Sequence, residues 1–142
     1  ASPAELGGKT VADELLEPTR IYVRALLAAV REVPGEIRGA AHITGGGLLE
    51  NPPRMLPAGL GMELEVGTWS EPAVFGLIRK LGQIDEAEMR RTFNLGVGMV
   101  VVVAPGAVGR VTATLEGHGV GVAQIGRIVE VDASASATML RS

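Results

Sequence analysis

Apolar positions change period several times along the chain, and each change marks an element. Thr10-Val-Ala-Asp13 has the shape of a helix start, predicting a short helix to Leu16 that Glu17-Pro18 breaks. Val23, Leu26, Leu27, Val30 and Val33 recur at helical spacing with Arg24 and Arg31 on the other side, an amphipathic helix ending before Pro34. From Ile37 to Thr44 the period becomes two. Ile37, Gly39, Ala41 and Ile43 share one face, and Arg38, Ala40, His42 and Thr44 the other. Glycines 45–47 follow, and Leu48 to Asn51 fits one helical turn before Pro52-Pro53.

Met62, Leu64 and Val66 alternate with Glu63 and Glu65, predicting a half-exposed strand with both glutamates outward. Ser70-Glu71-Pro72 opens a helix with Val74, Leu77, Ile78 and Leu81 as its stripe and Gly82 as its stop. Asp85 and Glu88 have capping-box spacing, with Ile84 and Met89 placed as a staple, for a short helix to Thr92. "VGMVVVVA" is almost wholly apolar and predicts a central strand covered on both faces. Val108, Val111 and Leu115 mark a helix over 107–117, and "VGVAQIGRIVEV" a last strand, irregular at Gly126. This order gives an α+β fold, a layered α/β sandwich with a mixed sheet flanked by helices.

Length and composition narrow the picture. At 142 residues the chain fits one domain, with 46% apolar residues for a core and only 3% aromatics. Residues 1–10 read as a linker, 11–131 as the domain, and 132–142 as a flexible tail. The chain starts without Met, which suggests a fragment of a longer protein. A net charge of −3 does not point to nucleic acid. No run is long enough to span a membrane and no signal peptide is visible. The absence of cysteine removes disulfides and thiolate metal sites and fits a cytoplasmic protein.

The chemistry concentrates at residues 41–57, "AHITGGGLLENPPRMLP". Glycine tolerates positive φ and lets a ligand approach the backbone, and successive amides form a concave anion site. His42 and Thr44, two apart on a strand, point the same way beside Gly45, Gly46 and Gly47. The plainer alternative is a tight strand-to-helix turn. Glu50, Asn51 and Arg54 read as supports of that turn. Neither a Walker loop nor a dinucleotide fingerprint is present. His42 and His118 lack carboxylate partners at ligand spacing, so no metal site is expected, and His118 reads as a helix cap. No serine sits in a nucleophile elbow. "EPTRIYV" sets Thr19, Arg20 and Tyr22 where the chain enters a helix, and Asn94 stands between a helix and the apolar strand, as a helix stop or an amide aimed into a cleft.

"LLEPTRIYV", "AHITGGGLLENPPRMLP" and "TFNLGVGMVVVV", in this order, resemble the C-terminal domain of the phosphoribosylformylglycinamidine cyclo-ligase (aminoimidazole ribonucleotide synthetase) family from Leu6 to Val131. Leu95 stands where the family pattern leads one to expect Cys or Met. The resemblance implies an ATP- and Mg²⁺-dependent ligase of purine biosynthesis, a homodimer acting on formylglycinamidine ribonucleotide. ATP phosphorylates the formyl oxygen, a nearby nitrogen attacks, and the imidazole ring closes. It further implies that an N-terminal domain, absent here, holds most of the ATP and magnesium site, so that residues 1–10 lead from it and this chain alone is inactive. His42 and Thr44 then act at the reacting oxygen, Gly45 to Gly47 grip a phosphate, Asn94 orients substrate, and Thr19, Arg20 and Tyr22 are secondary contacts. The alternatives are a sister ATP-dependent enzyme of the superfamily, or a non-catalytic module that holds an anion.

Overall fold

The computed structural model describes residues 3–132 and 137–141. Helices α1 (Val11–Leu15) and α2 (Val23–Glu32) precede strand β1 (Ile37–His42) and the short helix α3 (Gly47–Glu50). A 3-10 turn, Pro52–Met55, leads to β2 (Leu60–Glu65). Helices α4 (Ala73–Gly82) and α5 (Glu86–Thr92) come next, then β3 (Met99–Val103), α6 (Val108–Gly117), β4 (Gly126–Glu130) and β5 (Thr138–Arg141).

The strands form two sheets. β1 pairs antiparallel with β3, and β2 lies between antiparallel β4 and parallel β5. Helices α2 and α6 meet through Ala25, Ala29 and Val33 against Ala107, Val111 and Leu115, with Ile37 and Val103 of the first sheet beneath. Ile43, just after β1, and Val100 of β3 cluster with Met62 and Leu64 of β2 and with Leu48 of α3. Leu6, Val74 and Leu77 make a third cluster under α4. The layered α+β architecture expected from the sequence is the observed one, and the second sheet is mixed.

Several sequence expectations need correction. The last strand, expected from Val120, begins only at Gly126. The apolar stripe of α2 is wider than its contact: α6 covers Ala25, Ala29 and Val33, while Val23, Leu27 and Val30 remain exposed. Helical period identifies an apolar arc, and the small alanines within it allow α6 to approach closely. The central strand is β2, not the apolar β3, which has one strand partner and mostly half-buried residues. Glu63, expected outward, is only 5% exposed because β4 and β5 flank it. Arg127 Nε donates to its Oε2 at 2.6 Å, and Arg141 pairs with its other oxygen. Finally, Thr138–Arg141, expected as part of a flexible tail, adds a strand to β2, whereas 133–136 and 142 lie outside the described residues.

Helix ends follow local chemistry. Thr10 and Asp13 form a reciprocal capping box at α1. Asp85 accepts from the Glu88 amide at 2.9 Å. α4 stops one residue later than read, with Gln83 rather than Gly82 in left-handed geometry. The Thr10 hydroxyl and amide hold the Asp13 carboxyl below its ordinary 3.8. A depressed folded-state pKa contributes stability above the ordinary value and loses it as pH falls through the folded one. Acidification from 3.8 downward should therefore loosen α1. A carboxyl ¹³C titration should place Asp13 below ordinary aspartate, and Thr10→Ala should return it. An unshifted Asp13 in the parent chain would reject this cap.

Candidate functional site

β1 alternates as its sequence requires: Arg38, Ala40 and His42 are exposed, while the residues between them are half-buried. His42 lies opposite Met99, and the Ile43 amide donates to the Gly98 carbonyl at 3.0 Å. The chain then turns. Gly46 and Gly47 have φ of 111° and 53°, and the Gly47 amide donates to the Thr44 carbonyl at 2.9 Å.

The three glycines have different reasons to be glycine. A Cβ at Gly45 would meet nothing within 4 Å. At Gly46 it would stand 2.9 Å from Asn51 Nδ2, in a conformation L residues rarely adopt. At Gly47 it would overlap the Arg90 carbonyl and lie 2.8 Å from the Phe93 carbonyl, where α5 ends against the turn.

Asn51 holds the turn from inside. It is buried, its Oδ1 accepts from the Thr44 amide at 2.6 Å, and its Nδ2 donates to the Gly45 carbonyl at 3.3 Å. Two turn amides are thus occupied. Those of Gly45 and Gly46 meet no protein acceptor among the described residues. Asn51→Ala would strand two polar backbone groups and should cost about 1–3 kcal/mol. Urea unfolding checks this. A loss under about 0.5 kcal/mol, the range of neutral surface changes, would reject the anchoring role.

His42, Thr44, Asn51 and Arg54, with Ala40 and Met55, line an open concavity of about 270 Å³. Arg54 was read as a support, yet its exposed side chain meets no carboxylate among the described residues. It is the cation at this concavity. The signal was Pro52-Pro53, which restricts the chain to a tight turn and returns Arg54 toward β1. Gly39 makes room for that turn, since a Cβ there would reach Met55 Sδ at 3.0 Å. One carboxylate is close: a Cβ at Gly46 would lie 3.4 Å from Glu50 Oε2, and Arg91 stands 3.7 Å from the other Glu50 oxygen.

Of the remaining candidates, Tyr22 and the Asn94 turn lie at this end of β1. The Tyr22 ring stands edge-on to His42 with centroids 6.4 Å apart, and its hydroxyl rests on Gly98. Asn94 Oδ1 accepts from the Gly96 amide at 3.0 Å, while left-handed geometry falls on Leu95 and Gly96 instead. Its turn abuts the glycine turn through Phe93 and Gly47. Leu95 is buried, and its carbonyl accepts from Trp69 Nε1 at 3.0 Å. Arg20 donates to the Gly119 carbonyl at 3.2 Å, and Thr19 is exposed; neither lines the concavity. His118 Nδ1 lies 2.9 Å from the Thr114 carbonyl, closing α6. Among the described residues no three His, Asp or Glu side chains gather as metal ligands. Among the described residues no helix is long and apolar enough to cross a membrane.

Comparison with known proteins supplies the lineage. The AIR synthase related protein, C-terminal domain family matches residues 1–137. The phosphoribosylformylglycinamidine cyclo-ligase of Aromatoleum aromaticum is 46% identical over 125 residues, covering 88% of this chain and 36% of the relative. That of Sorangium cellulosum is 49% identical over 128 residues, covering 90% of this chain and 36% of the relative. That of Anaeromyxobacter dehalogenans strain 2CP-1 is 50% identical over 123 residues, covering 87% and 35%. The chain thus spans about a third of the length of the curated relatives it matches. With the motif order, the layered fold and the match over 137 residues in agreement, this chain belongs to the AIR synthase related protein, C-terminal domain family.

Proposed function

We propose that the chain is the C-terminal part of an ATP-dependent cyclo-ligase that closes the imidazole ring of aminoimidazole ribonucleotide from formylglycinamidine ribonucleotide. The observation that supports the site is a turn locked by buried Asn51, next to a concavity lined by His42, Thr44 and Arg54, with the Gly45 and Gly46 amides bonded to no acceptor among the described residues. Such a group suits a phosphate: two N–H donors, a hydroxyl and a guanidinium. Glu50 beside Gly46 opposes an anion there, so Gly45 and Arg54 carry more of the grip than Gly46.

In this reading His42 donates to the formyl oxygen as charge develops, an electrostatic role. Thr44 adds a hydroxyl contact, Tyr22 walls the site beside His42, and Asn94 shapes the adjoining turn. ATP, when bound, supplies the phosphoryl group. In this reading magnesium and most ATP contacts belong to the remaining length of the relatives' chains. Residues 1–10 would lead from that region, and the whole enzyme would be a cytoplasmic homodimer.

Gly45→Val is the informative substitution, because its Cβ enters open space and φ at Gly45 is not positive. An amide-resolved NMR titration of the parent chain with ribose 5-phosphate should shift His42 to Gly47. The variant should keep its melting temperature and bind at least about tenfold more weakly, a loss near 1.4 kcal/mol. Equal binding by both, or no shifts at the turn in the parent, would sink the phosphate reading.

A further inference from the structure

Large exposed apolar side chains are concentrated in one stretch. Leu15, Leu16, Ile21, Val23, Leu27 and Val30 are six of the nine such residues described. Ile21 is 83% exposed, and Leu27 and Val30 about half. Val23, Leu27 and Val30 are spaced by four and three, so they form one ridge on the side of α2 left uncovered by α6. Exposed Arg24 and Arg31 border it, and neither has a carboxylate partner among the described residues. An exposed apolar helix ridge with a charged rim is the anatomy of an interface.

We infer that this ridge is the seat of the rest of a longer polypeptide, a largely apolar surface edged with carboxylates that pair with Arg24 and Arg31. The curated relatives carry roughly two thirds of their length outside the part this chain matches, enough for such an occupant. A second copy fits less well, because antiparallel two-fold packing of α2 on itself would bring arginine edges together. The ridge also adjoins the candidate site. Its Ile21–Val23 end brackets Tyr22, whose ring faces His42. An occupant reaching that end of the ridge therefore comes close to Tyr22, the neighbour of His42. The inference uses the family's length and rests on the ligase reading only for that last consequence.

The chain has no cysteine, so a single thiol reports this surface cleanly. Leu27→Cys would be labelled with a maleimide in the 142-residue chain and in a chimaera carrying the preceding two thirds of the Sorangium cellulosum relative, read by mass on the α2 peptide. Ala87→Cys, exposed on α5, is the control. Leu27→Cys should react at least about tenfold more slowly in the chimaera, with the control unchanged, as burial of one face requires. Equal Leu27→Cys rates in both proteins would overturn the inference. So would slowing in the isolated chain as its concentration rises, which would mean a second copy. Loss of phosphate binding leaves these rates untouched, so the two readings fail separately.

Discussion

Gly47→Ala should destabilise the chain by about 3–5 kcal/mol, the larger part of a typical domain's margin. Two costs combine. The residue has φ of 53°, and left-handed geometry costs a Cβ-bearing residue about 1–2 kcal/mol. The new Cβ would also overlap the Arg90 carbonyl and crowd that of Phe93. Both belong to backbone at the end of α5, which cannot swing aside as a side-chain tip can, and overpacking typically costs about 1–3 kcal/mol. Gly45→Ala is the matched control, since its Cβ meets nothing within 4 Å, and should stay within about 0.5 kcal/mol. Urea unfolding of both variants reads the contrast. If Gly47→Ala loses less than about 1 kcal/mol, α5 does not rest on the turn as described. Stability of the glycine turn and openness of its amides thus depend on different glycines.

The second large effect is at Glu63. Glu63→Ala should cost about 1–3 kcal/mol, through lost charge-assisted hydrogen bonds and a gap at the sheet centre. The figure stays below that for a fully buried pair because the Arg127 and Arg141 side chains are 61% and 64% exposed against 7% for Glu63. Freed arginines are resolvated instead of stranded. The effect should be uneven. β5 is held to β2 by bonds such as Val66 N–H to the Arg141 carbonyl at 2.8 Å, and it loses its side-chain tie. Hydrogen exchange should therefore speed up at Val66 and along Thr138–Arg141 before it changes at β1 and β3. Uniform acceleration would mean that Glu63 supports the whole core instead of anchoring β5. Glu63→Gln, which preserves shape, should recover part of the packing and little of the tie.

Local elements were readable where a short stretch carries its own physical instruction. Thr10 with Asp13 set a helix start, alternation through Ile37 to Thr44 set which side chains face outward, and the glycine triplet between strand and helix set a turn. His42 and Thr44 were identifiable for that reason, since period two on a strand places them together without reference to the rest of the chain. Arg54 was harder, because its return to β1 depends on two prolines and on the missing Cβ of Gly39.

Tertiary packing decided whatever depends on which neighbour arrives. Alternation assigned Glu63 to the outer face, but whether that face meets water depended on β4 and β5, the latter from an end that looks like a polar tail. The apolar run of β3 suggested the centre of a sheet, yet strand order is set by which edges pair, and β2 took the centre. α2 displayed a broad apolar arc, and only the approach of α6 divided it into a buried and an exposed half. The chain by itself determined most of its helices, the facing pattern of β1 and its family resemblance, because propensity, period and motif are local properties. Strand order, the burial of Glu63 and the open side of α2 came from the tertiary structure, because burial belongs to pairs of surfaces and no single segment carries it.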